Sequence, residues 1–311
     1  SSTGTANAWV RIQRNDGAVV ATDTVAVTIV PANPGIFAYA GTDPRPAYAY
    51  HSSSHATGVI SVDGTIKVGN IGSICIGSSA ALTATTSLPT GCTGRLYNYT
   101  VQPGDSLTSI RDAFVALLAA DSQVTASASS EFTRILLQAR VAGTAGNGIP
   151  FQVAVSTGSD LLLTAIGPAP PAPGTGAMLC CANTAGAPVT VNNAALPGET
   201  IIVYATGLGL PSLAPTLDQY LLTGQPYKGP TGNFPQNFVS GQINNATTNV
   251  LRAELVPGMI GIYEVDLNLS SSLTTDPKAE LYIAQNDFRS NVVTVPIFAT
   301  PVLSSVSCDP S

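Results

Sequence analysis

The chain has 311 residues, of which 44% are hydrophobic and only 10% are charged, and its net charge at pH 7 is −6. The acidic balance and the lack of a basic run exclude a nucleic-acid-binding protein, because phosphate backbones are bound mainly by Lys and Arg. No apolar stretch reaches the length of about 18 residues that a membrane-spanning helix requires. A surface with so few charges favours close packing of many copies.

The first predicted element is a β-hairpin in residues 1–30. Residues 8–16 (AWVRIQRND) align with residues 279–287 (AELYIAQND), and the alternating apolar residues of 25–29 recur in 293–297. Alternating apolar residues around an Asn-Asp turn are typical of a hairpin. Because a hairpin cannot bury its own apolar face, each copy is expected to complete a larger sheet.

No strands precede the amino-terminal copy, so we expect its partners to be copies of the same chain or flanking domains of a longer chain. A donated strand supplies both backbone hydrogen bonds and apolar side chains. The hairpin is therefore the predicted self-association element. Its expected anchors are Trp9, Val10, Ile12, Val25, Val27 and Ile29.

Residues 31–72 are rich in Pro and Ser and predict an extended connector with two short strands. Residues 1–72 are thus expected to be a partial immunoglobulin-like domain, namely the terminal hairpin, followed by this connector. His51 and His55 have the spacing of a zinc-binding helix, but Ser-rich sequence does not favour a helix and no Glu follows His51. No metal site is predicted.

Residues 73–167 predict a small α+β module. A strand at residues 95–101 is followed by a helix with an N-cap at 104–105, and the helix ends before Asp121. Four further strands follow, and one helix packed across a small antiparallel sheet would bury the helix's apolar stripe. That stripe consists of Leu107, Ile110, Phe114, Leu117 and Leu118.

Residues 168–188 predict a Pro-rich linker, which begins with the polyproline-type sequence PAPPAPG. Residues 189–300 contain only β signals, short strands separated by Gly, Pro and Asn, which are typical of a sandwich. Residues 301–311 would be a tail or the start of a next unit. The predicted fold class is mainly β, with immunoglobulin-like β-sandwich domains and a small α+β module between them.

The chain has five cysteines, an odd number, so they cannot all pair with one another. They are Cys75, Cys92, Cys180, Cys181 and Cys308. If they are bridged to each other, Cys75 and Cys92 would close a loop that stabilises the fold by about 3 kcal/mol. A trans peptide would hold the Cα atoms of Cys180 and Cys181 about 3.8 Å apart, so separate partners are expected for them. One thiol would be free or would reach a neighbouring chain, with Cys308 bonding Cys180 or Cys181 of a neighbour. An oxidising location, secreted or at the cell surface, is predicted.

A second hypothesis is a ligand platform in the Pro/Gly-rich stretch between strands, where aromatic side chains could bind a glycan or, more commonly, form a local core. Its residues are Tyr220, Tyr227, Phe234 and Phe238. Four carboxylates lie at strand positions and could form a hydrolytic pair, although solvated strand faces are commoner. They are Glu254, Glu264, Asp266 and Glu280. No catalytic residue and no cofactor is predicted.

Several landmarks resemble a known repeat domain. They are PGETIIVYATGLG at residues 197–209, GMIGIYEV at 258–265, RSNVVTVP at 289–296 and PANPGIF at 31–37. They resemble the repeat domain of large secreted proteins of Solibacter-type Acidobacteria, which is similar to immunoglobulin-like TIG repeats. This resemblance implies a seven-stranded sandwich without catalytic residues.

The middle module has a resemblance of its own. YNYTVQPGDSL at residues 97–107 and ARVAGTAGNGI at 139–149 are similar to small modules of phage-tail and bacterial surface proteins, which implies assembly rather than chemistry. We therefore expect a non-enzymatic extracellular structural protein that self-associates by β-strand pairing into a filament, stalk or surface layer. The alternatives are a glycan- or surface-binding adhesin module and an accessory domain of a secreted enzyme.

Overall fold

The computed structural model describes residues 4–129, 132–168, 176–209, 211, 224–230 and 232–299. Across these residues the fold is mainly β with one α-helix, and no helix is long and apolar enough to cross a membrane. The strands form an amino-terminal hairpin, an α+β module and an immunoglobulin-like β-sandwich.

The hairpin comprises β1 (Gly4–Ala8), β2 (Arg11–Gln13), β3 (Val19–Ala21) and β4 (Val25–Ile29). β1 pairs with β4 and β2 with β3, both antiparallel, and in the described part of the chain these strands pair with no others. At the turn, the Arg14 N–H donates to the Ala18 carbonyl, and Gly17 adopts φ of 83°, a conformation that glycine permits. The predicted hairpin is present.

Three short strands follow: β5 (Gly35–Ile36), β6 (Arg45–Pro46) and β7 (Ala49–His51). They do not form the expected connector, because each pairs with a strand of the carboxy-terminal sandwich. Tyr50 of β7, for example, lies opposite Ile202. β6 contains Pro46 and β5 follows Pro34, and strands with proline suit the edge of a sheet, where one row of backbone groups needs no partner.

The α+β module begins earlier than residue 73, because the next strand is central to one of its sheets. Its elements are β8 (His55–Gly64), β9 (Ile71–Ile76), β10 (Arg95–Thr100), α1 (Leu107–Leu118), β11 (Val124–Ala128), β12 (Arg134–Ala142), a 3₁₀ turn (Thr144–Gly146), β13 (Pro150–Val155), β14 (Leu161–Ile166) and β15 (Ala177–Met178). They form two four-stranded sheets rather than the single sheet expected, in the orders β10-β9-β13-β15 and β11-β12-β8-β14.

The helix was predicted with the correct span but with a different cap. Ser106 is the N-cap, and its hydroxyl and that of Ser109 form a reciprocal capping box. Asp105 instead accepts hydrogen bonds from the Tyr99 hydroxyl and the Gln102 N–H. Three side chains of the predicted apolar stripe are fully buried in the module core: Ile110, Phe114 and Leu118.

The expected linker at residues 168–188 also belongs partly to the module. β15 pairs with β13, and the backbones of Cys180 and Thr57 form an isolated antiparallel β-bridge. Residues 169–175 and the expected tail at 301–311 lie outside the described residues. The module is thus inserted in the chain between β7 and the first long strand of the sandwich.

The sandwich adds β16 (Thr200–Thr206), β17 (Val239–Ile243), β18 (Ala246–Leu255), β19 (Tyr263–Asn268), β20 (Asp276–Gln285), β21 (Phe288–Arg289) and β22 (Val293–Ile297). β18 joins its two layers, because the first part of the strand pairs with β17 and the second part with β19. One layer contains β5, β7, β16, β19 and the second part of β18. The other contains the first part of β18, β17, β20, β22 and β6, and the two layers share one buried core.

The module contacts the sandwich through β18 and the loop before β17. The Ser129 hydroxyl donates to the Leu251 carbonyl at 2.9 Å, and the Arg134 guanidinium donates to the Val250 carbonyl at 2.7 Å. The rings of Phe132 and Phe238 meet edge to face, with centroids 5.1 Å apart. Module and sandwich therefore share a polar and aromatic contact.

Candidate functional site

The two strand pairs of the hairpin present an exposed surface of opposed apolar residues. Directly opposed residues of an antiparallel pair project to the same face of the sheet. Val27 lies opposite Ala6, and Val25 lies opposite Ala8. Ile12 lies opposite Val20. We call this surface the hairpin face.

The predicted anchors of self-association all lie in the hairpin and all are exposed. Ile12 is 60% exposed and Val25 is 61% exposed. Their counterparts in the aligned carboxy-terminal copy, Ile283 and Val293, are fully buried in the sandwich core. The same pattern holds for Val10 with Leu281, Val27 with Val295 and Ile29 with Ile297. It does not hold for Trp9, which is 60% exposed but whose counterpart Glu280 is exposed as well.

The two hairpins differ in strand register by two residues. Ala8 lies opposite Val25, whereas its counterpart Ala279 lies opposite Val295, which corresponds to Val27. Since side chains alternate with a period of two, a shift of two residues leaves every side chain on its original face. The hairpin face is therefore equivalent in chemistry to the buried face of the carboxy-terminal copy.

The cysteine predictions divide into one confirmed pair and one correction. Cys75 and Cys92 form a disulfide with a Cα separation of 5.9 Å, as predicted. Cys180 and Cys181 bond to each other, contrary to the expectation of separate partners. That expectation assumed a trans peptide, but the peptide between them is cis and the Cα atoms are 3.1 Å apart. Cys308 lies outside the described residues.

The structure does not bring the predicted aromatic platform together as an exposed surface. Tyr227 is buried, and its hydroxyl donates to the Pro230 carbonyl at 2.8 Å. Phe234 is half-buried, whereas Phe238 is exposed and packs against Phe132 of the module. Tyr220 lies outside the described residues. For Tyr227 the local-core alternative is correct.

A different aromatic surface lies on the outer face of the sandwich, and we call it the aromatic cleft. It is an open cavity of about 190 Å³ lined by Phe37, Tyr48, Tyr50, Tyr204, Met259 and Ile262. The rings of Tyr50 and Tyr204 are 6.0 Å apart and nearly perpendicular. Those of Tyr48 and the neighbouring Tyr39 are 4.1 Å apart.

A signal for this cleft was present in the sequence at residues 47–50, Ala-Tyr-Ala-Tyr. Ala47 and Ala49 are buried in the sandwich core, whereas Tyr48 and Tyr50 line the cleft on the outer face. In this segment the small side chains face the core and the aromatic side chains face outward, which inverts the usual alternation of a half-buried strand. Large apolar side chains are normally turned inward, so this inversion makes the outer face a candidate binding surface.

Three of the four predicted carboxylates meet on the sandwich layer that contains β19 and the second part of β18. Arg252 donates to Glu254 at 2.8 Å, to Asp266 at 3.0 Å and to Glu264. Burial raises the pKa of Asp266 to about 6, although the charge of Arg252 opposes this shift. These carboxylates are largely buried and ion-paired rather than solvated. Glu280 is not part of the cluster, because it lies on β20 opposite Thr294.

The two histidines do not meet. His51 is fully buried, and its Nδ1 lies 2.5 Å from Oε1 of Glu199, whereas Nδ1 of His55 bonds the Ala139 carbonyl at 2.8 Å. Burial acts to lower the pKa of His51, but the hydrogen bond and charge of Glu199 outweigh it and raise the pKa. Among the described residues no group of three or more His, Cys, Asp or Glu side chains is arranged to hold a metal ion.

No protein-family model and no curated protein matches the chain. Among solved structures, the chain is similar to the crystal structure of the I9–I11 tandem from titin, with 8% sequence identity and a TM-score of 0.18. The match covers 78% of this chain and 66% of the titin fragment, just under two thirds. The sandwich is defined by the strand order and the shared core of the chain itself.

Proposed function

We propose that the chain is a non-enzymatic extracellular structural protein that self-associates through its amino-terminal hairpin. One observation carries this proposal: the apolar residues of the hairpin face are exposed, whereas their counterparts in the second copy form a sandwich core. The buried copy demonstrates what such a hairpin packs against, namely a second apolar sheet layer. An exposed apolar sheet face of this kind marks an interaction surface.

The energetics favour association. Val10, Ile12, Val25, Val27 and Ile29 are each about half exposed. Covering these five side chains would contribute on the order of 5 kcal/mol for each hairpin, before the entropy cost of association. Charge repulsion opposes this little, because only 30 of the 311 residues are Lys, Arg, Asp or Glu (12 + 18).

The occupant we propose for the hairpin face is the hairpin face of a second copy. Two identical apolar faces packed against each other make a self-complementary contact, which is the commonest kind in homo-oligomers. The free strand edges of the hairpin offer further backbone hydrogen bonds to the partner. This contact joins chains in pairs, so growth into a filament, stalk or layer requires a second contact elsewhere.

An extracellular location is part of the proposal. The disulfide between Cys75 and Cys92 supports it, because such bonds persist mainly in oxidising compartments. The resemblance to repeats of secreted proteins points to the same location.

Electron microscopy of the purified chain tests the assembly. We expect particles of at least two copies at high protein concentration, and we expect the Ile12→Asp variant to lose the pairing that the hairpin face provides. A matched control is Val191→Asp, which places the same charge at an exposed apolar residue in a turn of the sandwich. Particles of the size of a single copy at every concentration would contradict the proposal.

A further inference from the structure

The aromatic cleft is not used by the proposed hairpin contact. It lies at the edge of the sandwich, where β5 and β7 both pair with the outer side of β16. Phe37, Tyr39 and Met259 expose between 38% and 47% of their surface there. Large apolar side chains exposed together in a concave site are typical of a ligand-binding groove.

The chemistry of the lining restricts the ligand. The cleft itself contains no charged side chain, and three tyrosines supply ring faces together with hydroxyl groups. Burial, with the charge and hydrogen bond of Glu264, raises the pKa of Tyr204, so its hydroxyl is engaged with that carboxylate. The hydroxyls of Tyr48 and Tyr50 are the remaining donors of the lining. Grooves lined by aromatic rings with hydrogen-bond donors recognise proline-rich P-x-x-P segments in the polyproline II conformation.

The chain contains such a segment. Residues 168–173 read Pro-Ala-Pro-Pro-Ala-Pro, and this sequence holds two overlapping P-x-x-P motifs, one from Pro168 to Pro171 and one from Pro170 to Pro173. The segment has no charged residue, as the cleft lining has none. Proline has no backbone N–H, so this segment is poorly suited to extending a sheet and well suited to an aromatic groove.

We propose that the aromatic cleft binds the P-x-x-P segment of a second copy of the chain. The proposal rests on the proposed self-association and supplies the second contact that growth beyond pairs requires. Because cleft and segment are different surfaces, the contact is heterologous, and repeating it yields an open chain of copies.

The geometry favours a second copy over the chain's own segment. The Met178 N–H donates to the Pro168 carbonyl, and Pro168 lies against Gly198, just before β16 begins at Thr200. Tyr204 is four residues further along β16, which is about 13 Å away. Both ends of the chain's own segment are therefore fixed away from the cleft, Pro168 against Gly198 and Met178 by its pairing with Pro150.

Peptide binding tests the proposal directly. The probe is a synthetic peptide of residues 167–176 (GPAPPAPGTG), compared with a version in which Pro170, Pro171 and Pro173 are replaced by Ala. Saturation-transfer NMR should detect contact at the proline rings, and titration calorimetry should measure the affinity. We expect binding to be lost with the alanine peptide and unchanged between low and high salt, because no charge pair forms.

Variants of the chain locate the site. Tyr50→Ala and Tyr204→Ala should each weaken peptide binding about tenfold, since aromatic anchors dominate such contacts. The matched control is Tyr282→Ala, a half-buried tyrosine in the other layer, which should bind as the unmodified chain does. Circular dichroism confirms that each variant is folded, and saturation transfer to the unmodified chain needs no variant.

Three outcomes would overturn the proposal: no saturation transfer to the proline rings, equal binding of the alanine peptide, or unchanged binding in both cleft variants. A glucose oligosaccharide is titrated in parallel, and its binding with loss in Tyr204→Ala, together with no peptide binding, would assign the cleft to glycans instead. The Ile12→Asp variant should still bind the peptide. Failure of hairpin association is therefore distinguishable from failure of this contact.

Discussion

Ile12 and Ile283 occupy the same position in two copies of one hairpin, yet Ile12 is 60% exposed and Ile283 is fully buried. Both follow the same alternation, and both lie in the strand before an Asn-Asp turn. The difference between them is the second sheet layer, which covers Ile283 and not Ile12. Within the part of the chain that the structure describes, the hairpin therefore has the side chains of a sandwich core and no second sheet layer over them.

This pair gives a matched stability test. Ile283→Ala should lower the free energy of unfolding by about 2 to 5 kcal/mol, because it leaves a cavity in a packed core. Ile12→Ala should change it by less than about 0.5 kcal/mol at a concentration where the chain is monomeric. Urea unfolding followed by circular dichroism measures both. A large loss for Ile12→Ala would mean that the hairpin face is already covered within one chain.

Asp266 should make stability fall as pH rises from about 4 to about 6. Its pKa is raised to about 6 by burial, above the value of about 3.9 in an unfolded chain, so the folded state holds the proton more tightly. The contribution is fully present below pH 4 and is lost as pH rises through 6. Two pKa units correspond to about 3 kcal/mol.

Urea unfolding at several pH values checks this, with Asp266→Asn expected to flatten the curve in that window. The control is Asp160→Asn, which changes an exposed aspartate outside the ion-paired cluster. An unchanged pH dependence in Asp266→Asn would show that burial of this carboxylate has no effect on stability.

His51 should add a second pH-dependent contribution in a higher range. Its pKa is raised by Glu199, so the folded chain binds the proton more tightly than the unfolded chain. The stabilisation is present below the unfolded pKa of about 6.5 and is lost as pH rises through the higher folded value. His51→Gln should remove this pH dependence, and His55→Gln, the other histidine, should not. NMR titration of the His51 ring measures the folded pKa. A value at or below 6.5 would contradict this prediction.

The elements with strong local patterns could be predicted from the sequence. The helix has apolar residues at helical spacing from Leu107 to Leu118, and the long sandwich strands alternate over several residues. The hairpin was visible because its two copies could be compared. Each of these signals lies within about ten residues of sequence.

Long-range pairing could not be predicted in the same way. β7 has three residues and lies far along the chain from β16, so nothing local shows that Tyr50 pairs with Ile202. Because the module is inserted between these strands, the sequence does not show that β5, β6 and β7 belong to the sandwich. The sequence predicts an aromatic site in a loop between strands. The aromatic cleft instead includes Tyr50 and Tyr204, which only strand pairing brings together. The bond between Cys180 and Cys181 was missed because a trans peptide was assumed.

Sedimentation velocity over a wide range of protein concentration tests the central claim most directly. The unmodified chain should shift from monomer to larger species as its concentration rises. Ile12→Asp should associate less than the unmodified chain, because only the cleft contact remains to it, while Val191→Asp should associate as the unmodified chain does. A single monomeric boundary for the unmodified chain at every concentration, or equal association of the Ile12→Asp variant, would contradict association through the hairpin face.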